Sequence, residues 1–83
     1  MEIKILGVGC ANCQRLEQIA REAAAEMGVE AAFIHVTDMR QIMAYKILGT
    51  PGLVIDGKVV SAGRIPSKAE VLTWIANAAM AEG

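Results

Sequence analysis

Both cysteines of the chain lie in the stretch Val8-Gly9-Cys10-Ala11-Asn12-Cys13, with two residues between them. The apolar run that leads into it, from Glu2 to Val8, predicts a largely buried strand, and the periodicity that begins near Ala11 predicts a long helix. A Cys-x-x-Cys at a strand-to-helix junction indicates redox chemistry first and metal binding second. This pair is therefore the first candidate for a functional site.

The composition is that of a small globular protein. The chain has 83 residues, which predicts one domain over residues 1–83. Because 54% of the residues are apolar and only 4% are aromatic, the core is expected to consist of Ile, Leu, Val, Ala and Met. The formal net charge is −1, without a run of like charges, so no nucleic acid or anionic membrane is expected as a partner.

The chain carries no pattern of export or membrane insertion. No segment approaches the roughly 20 apolar residues that a spanning helix needs. A basic leader region is also missing, and a strand-like pattern starts at Glu2. We therefore expect a cytoplasmic protein. In a reducing compartment two cysteines rarely form a structural cross-link, which favours catalysis or metal binding.

The first half of the chain predicts a strand–helix–strand unit. Apolar residues recur at three- and four-residue spacings from Ala11 to Met27, and Gly28 is the expected helix terminator. A second strand is predicted over residues 29–37. Because few residues separate these elements, the two strands are expected to be parallel.

The second half predicts a helix, a hairpin and a last helix. Asp38 is the expected N-cap of a helix over residues 39–47. Asp56-Gly57 lies between two apolar runs, a strong signal for a β-hairpin with a type I′ turn. Ser67 and Glu70 form a capping-box pattern that opens a helix running to about Ala79. The full order is β-α-β-α-β-β-α, an α/β fold in which a four-stranded mixed sheet has helices on both faces.

This order resembles the thioredoxin–glutaredoxin family, and in particular its small archaeal and bacterial thioredoxin-like members, the redox-active disulfide proteins. The resemblance covers essentially the whole chain. It is carried by the Cys-x-x-Cys at the start of the first helix, by Thr50-Pro51 before the third strand, and by Gly63 before the last helix. The family implies a thioredoxin-like minimal core and a cis proline at Pro51 beside the disulfide.

The chain departs from both well-known branches of that family. Gly9 precedes the first cysteine where typical thioredoxins have Trp. Lys4 stands at the position of their buried aspartate, six residues before the first cysteine. Arg64 follows Gly63 where typical glutaredoxins have a second glycine for glutathione. Neither classical substrate transfers directly to this chain.

The redox hypothesis gives each cysteine a role. Cys10, at the N-terminus of the helix, is the candidate nucleophile, because unpaired N–H groups and the helix dipole favour a thiolate there. Cys13, one turn on, is the candidate resolving residue that attacks Cys10 and releases the reduced substrate. The reversible Cys10–Cys13 disulfide would then be the redox centre, without a further cofactor.

The resemblance also implies a substrate site. Thr50 and Pro51 are expected to offer an extended backbone edge to a substrate chain, and Gly9 and Gly63 to flank it. An ordinary proline at the start of a strand remains an alternative for Pro51. The expected partners are disulfide-containing proteins or small-molecule disulfides, with a thioredoxin-reductase-like protein or glutathione as electron donor.

Two alternatives keep the same cysteine pair. A metal-handling module would bind copper or zinc, but only His35 is available as a third soft ligand. Heavy-metal chaperone domains also use a different order, β-α-β-β-α-β. The other alternative is a redox-sensing binding protein without turnover.

Overall fold

The structure, a computed structural model, describes residues 1–8 and 11–82 of the chain. Within these residues the elements follow the predicted order β-α-β-α-β-β-α. Their bounds are β1 Glu2–Leu6, α1 Ala11–Glu26, β2 Ala32–Val36, α2 Met39–Ala44, β3 Gly52–Ile55, β4 Lys58–Ala62 and α3 Lys68–Glu82.

The four strands form one mixed sheet in the order β2-β1-β3-β4. Strand β1 runs parallel to β2, with Ile3 opposite Phe33, and antiparallel to β3, with Ile3 opposite Ile55. Strands β3 and β4 are antiparallel. The predicted α/β fold with a mixed sheet is confirmed. Because β1 is a central strand, its backbone is held by hydrogen bonds on both sides.

Each face of the sheet has its own apolar cluster. Ile3 and Ile5 point to the face that carries α1 and α3, where they join Leu16 and Ile75 in the larger cluster. Leu6 points to the opposite face, where a smaller cluster contains Val36, Val54 and, from α2, Ile42. The prediction of helices on both faces is therefore confirmed. Full burial of each such aliphatic side chain stabilises the fold by about 1.5–3 kcal/mol.

The first half of the chain has shorter elements than predicted. Strand β1 ends at Leu6, and Val8, expected at the end of the strand, is 59% exposed. Helix α1 ends at Glu26, so Met27 lies beyond the helix and is exposed rather than buried. Gly28 takes a φ of 66° and donates its N–H to the carbonyl of Ala25 at 3.1 Å, which caps the helix as predicted.

Helix α2 begins as predicted and ends early. The Asp38 carboxylate accepts hydrogen bonds from the N–H groups of Arg40, at 2.8 Å, and Gln41. The helix was expected to reach Ile47, but it ends at Ala44. The reason is Lys46, whose φ of 58° leaves the helical region while its N–H donates to the carbonyl of Met43 at 2.9 Å.

The remaining turn and cap predictions are confirmed. Asp56 and Gly57 have φ values of 48° and 84°, the two positive angles that a type I′ turn requires. Ser67 Oγ accepts from the Glu70 N–H at 3.2 Å, and a Glu70 carboxylate oxygen accepts from the Ser67 N–H at 3.1 Å. Helix α3 extends past the expected end at Ala79. Over the part of the chain that is described, no helix has the length and apolar character to cross a membrane.

Candidate active site

Cys13 lies in the first turn of α1 and points into the protein. It is only 2% exposed and belongs to the apolar cluster between the sheet and the two helices α1 and α3. The periodicity of α1 explains this placement, because Cys13, Leu16 and Ala20 share the buried side of the helix. Cys10 and Gly9, both predicted for the site, lie outside the described residues.

Gly7 places the end of β1 against the sulfur of Cys13. Its N–H donates to the carbonyl of Val36 at 3.0 Å, so the backbone is fixed just beyond the last residue of β1. A Cβ atom at Gly7 would overlap Cys13 Sγ and would lie 3.8 Å from the Cβ of Thr50. The structure therefore brings Cys13 and Thr50, far apart in sequence, to one point at the end of β1.

Gly7 is not among the residues predicted for the site from the sequence. The approach of α1 and of the segment before β3 to this glycine is a tertiary feature. The only sign of it in the sequence is that position 7, three residues before Cys10, is a glycine.

The Thr50–Pro51 segment lies at the same end of the sheet. The peptide bond between the two residues is cis, Thr50 is exposed and Pro51 is buried. The N–H of Gly63 donates to the Pro51 carbonyl at 3.0 Å, and its Cα lies 3.4 Å from where a Cβ of Gly49 would stand. Gly63, predicted from the sequence for the same site, is therefore in direct contact with Pro51.

An open groove of about 650 Å³ borders this segment. It lies between the turn that follows α2 and the end of β4. Leu48, two residues before Thr50, is fully exposed on this side. The residues that line the groove are Tyr45, Lys46, Ile47, Leu48, Gly49, Val59, Ala62 and Gly63.

Arg64, which follows Gly63, is held by the start of α3. Its guanidinium donates to both carboxylate oxygens of Glu70, at 2.7 and 3.1 Å. These hydrogen bonds, and that from the Ser67 backbone, lower the pKa of Glu70 to about 2. The same ion pair raises the pKa of Arg64. The arginine that replaces the second glycine of typical glutaredoxins is thus engaged within the chain.

Lys4 lies on the face of the sheet opposite to Cys13. Its Nζ donates to the hydroxyl of Tyr45 at 3.2 Å and lies 3.5 Å from a carboxylate oxygen of Glu2. The contact with Tyr45, followed by that with Glu2, raises the pKa of Lys4. The neighbours Ile3 and Ile5 face the Cys13 cluster instead. Lys4 is therefore not placed to exchange a proton with Cys13.

His35, the one histidine of the chain, makes a different contact. Its Nε2 lies 2.5 Å from a carboxylate oxygen of Glu17 on α1, and the other oxygen accepts from Arg21 Nε at 2.7 Å. The hydrogen bond from Arg21, and then the contact with His35, lower the pKa of Glu17. Across residues 1–8 and 11–82, no three His, Cys, Asp or Glu side chains are grouped so as to hold a metal ion.

Comparison with known proteins gives the family. A family model described as a thioredoxin domain matches residues 1–76. The thioredoxin of Methanothermobacter thermautotrophicus is 46% identical over 71 residues, which cover 86% of this chain and 92% of the relative. The chain belongs to the thioredoxin family. The thioredoxin of Methanocaldococcus jannaschii is 35% identical over 69 residues, covering 83% of this chain and 79% of that protein.

A solved thioredoxin shares the fold. Thioredoxin 1 from Thermosipho africanus superimposes with a TM-score of 0.61 at 20% sequence identity, over 99% of this chain and 98% of that one. The family membership confirms the resemblance and the enzyme class expected from the sequence. The protein is a thiol–disulfide oxidoreductase of the thioredoxin family.

Proposed function

We propose that this thioredoxin-family protein reduces or exchanges disulfides with Cys10 as the attacking residue and Cys13 as the resolving residue. The observation that carries the proposal is the meeting of Cys13, Gly7 and Thr50 at the end of β1. Cys10 directly precedes Ala11, the first residue of α1. A cysteine at that position benefits from the N–H groups and dipole of the helix.

The reaction proceeds in two thiol–disulfide exchanges. The Cys10 thiolate attacks one sulfur of the substrate disulfide, which forms a mixed disulfide and releases one substrate thiolate. The Cys13 thiolate then attacks the Cys10 sulfur, which forms the Cys10–Cys13 disulfide and releases the second thiolate. The protein loses two electrons and the substrate gains them. The proposal requires no redox group other than this cysteine pair.

The Thr50–Pro51 segment supports a substrate site for extended protein chains. Thr50 is exposed beside the cysteine sulfur and precedes a proline, a position that favours extended backbone. Such a backbone edge can pair with a substrate chain around its disulfide. In this proposal Gly63 keeps Pro51 in place, and Gly9, which precedes Cys10 in the sequence, belongs to the residues expected to flank the substrate. The groove beside Gly63 can receive substrate side chains.

The expected electron donor is a thioredoxin-reductase-like protein or glutathione. Comparing the rates at which the two donors reduce the Cys10–Cys13 disulfide would decide between them. The cytoplasmic location and the independence from nucleic acid and membranes remain predictions from the sequence.

A matched pair of variants tests the assignment of roles. With a disulfide-containing protein such as insulin as substrate, Cys13→Ser should accumulate a mixed disulfide that is visible on a non-reducing gel and reversed by dithiothreitol. Cys10→Ser should form no such species and should show no reductase activity. Wild-type activity in the Cys10→Ser variant would contradict the proposal.

A further inference from the structure

We infer that Gly7 is a positioning residue for Cys13, and that its missing side chain provides the space in which the Cys13 sulfur sits. The inference rests on the proposed function and adds a residue to it. A Cβ atom on Gly7 would overlap Cys13 Sγ, whereas the Cβ atoms of Cys13 and Thr50 would both lie at an ordinary 3.8 Å. Among the contacts of the added Cβ, the conflict is therefore confined to the sulfur.

The backbone of Gly7 is held in place by the sheet. Gly7 is buried, and its N–H donates to the carbonyl of Val36 at 3.0 Å. The preceding residue, Leu6, pairs with Val36 on β2 and with Gly52 on β3. Since β1 is paired on both sides, the backbone would not shift to relieve the overlap between an added side chain at Gly7 and the Cys13 sulfur.

The helix that carries Cys13 is equally constrained. Leu16 and Ala20 follow on the same buried side of α1 and are fully buried in the larger apolar cluster. Moving the helix outward would open that cluster, which costs more than turning one side chain. Because χ1 has a few staggered wells, the displaced sulfur would rotate into another well rather than shift slightly.

The consequence falls on the second chemical step. Cys13 must align its sulfur with the bond between Cys10 and the substrate, and a misplacement of about 1 Å can slow such a step by about a hundredfold. The first step, the attack of Cys10 on the substrate, does not use the Cys13 sulfur. Gly7→Ala should therefore slow resolution and leave the attack unaffected.

Stopped-flow kinetics with 5,5′-dithiobis(2-nitrobenzoic acid) separate the two steps. The attack of Cys10 on the reagent disulfide releases one nitrothiobenzoate and leaves the other bound to Cys10. The attack of Cys13 on Cys10 then releases the second, so that the reduced protein loses two electrons to the reagent and becomes the disulfide. With limiting reagent, each release is read as a separate absorbance phase.

For Gly7→Ala we expect a first phase within about twofold of wild type and a second phase slowed by about tenfold or more. Gly28→Ala is the matched control, because Gly28 also has a φ that side chains rarely adopt, but open space where its Cβ would stand. It should leave both phases unchanged. A second phase at the wild-type rate in Gly7→Ala would overturn the inference.

A stability cycle tests the contact independently of turnover. Cys13→Ala removes the sulfur and keeps the Cβ, so Gly7→Ala should lower the urea midpoint in the wild-type background and lower it much less in the Cys13→Ala background. Equal shifts in both backgrounds would overturn the inference, even if the single Gly7→Ala variant folds too poorly for kinetics. If the wild-type protein releases only one nitrothiobenzoate, the proposed function fails. If the effect of Gly7→Ala on the urea midpoint still depends on the Cys13 sulfur in that case, Gly7 has a structural role only.

Discussion

The N–H of Gly63 donates a hydrogen bond of 3.0 Å to the carbonyl of Pro51. This bond continues the pairing of β3 and β4 by one step, because Gly52 and Ala62 are the neighbouring partners. It ties the loop before α3 to the segment proposed to bind substrate. Gly63 can make the bond because its φ of 78° is accessible to glycine at little cost.

Gly63→Ala should therefore weaken both the fold and the site. A side chain in this backbone region costs about 1–2 kcal/mol, and we expect the free energy of unfolding to fall by about that amount in urea titrations. The value of kcat/KM for insulin reduction should fall as well, because the support of Pro51 is disturbed. Gly28→Ala, at another glycine with a positive φ but away from the groove, is the control and should leave kcat/KM unchanged. Unchanged stability in Gly63→Ala would contradict the importance of this backbone angle.

Lys4→Met should leave the redox steps unchanged. Lys4 occupies the position of the buried aspartate of typical thioredoxins, but its ammonium contacts Tyr45 on the face opposite to Cys13. The second phase of nitrothiobenzoate release should therefore show the same pH profile in Lys4→Met as in wild type. Tyr45→Phe removes the same hydrogen bond and should behave alike. A shifted pH profile in Lys4→Met would show that its charge reaches the cysteine site after all.

The Glu70 carboxylate should make the free energy of unfolding decrease as the pH falls through the acid range. Its pKa is lowered from 4.5 to about 2 in the folded protein, first by Arg64 and then by the Ser67 backbone. The folded state therefore binds the proton less readily than the unfolded state. This contribution is complete above pH 4.5 and is lost as the pH falls from there towards 2.

Urea midpoints measured across that range in wild type and Glu70→Gln test this dependence. The advantage of wild type over the variant should shrink steadily as the pH falls. Asn77→Ala, an exposed change on α3 that removes no ionisable group, should show a constant difference from wild type. A constant difference for Glu70→Gln too would show that the Arg64–Glu70 pair does not favour the ionised form.

The sequence predicted the features that depend on short stretches of chain. The order of elements follows from hydrophobic periodicity, and the Asp56-Gly57 turn and the Ser67–Glu70 cap follow from local backbone chemistry. The family was recognised because the cysteine motif and Thr50-Pro51 are both local signals. None of these required knowledge of which elements pack together.

The features that were missed depend on contacts between distant residues. Helix α2 was expected to reach Ile47, but it ends at Ala44, and Lys46 then takes a positive φ that is uncommon for lysine. The role of Gly7 depends on how closely α1 and Thr50 approach the end of β1. The hydrophobic periodicity of the sequence does not show which distant residues come close to each other. From the sequence alone, a glycine that makes room for a sulfur therefore cannot be distinguished from one that makes a turn.

Leu16→Ala should be the most damaging of the changes discussed for stability. Leu16 is fully buried, one turn after Cys13 on the same side of α1. Replacing a buried leucine by alanine leaves a cavity and costs about 2–5 kcal/mol, a large part of the 5–15 kcal/mol that typically stabilises a domain. Urea titration should show this loss as a lower midpoint with little change in slope.

Leu48→Ala is the matched control for this change. The same atoms are removed, but Leu48 is fully exposed, so the free energy of unfolding should stay within about 0.5 kcal/mol of wild type. A cost at Leu48 equal to that at Leu16 would mean that the segment before Thr50 packs against the protein in solution. That result would remove the open groove from the proposed substrate site, because Leu48 is one of the residues that line it.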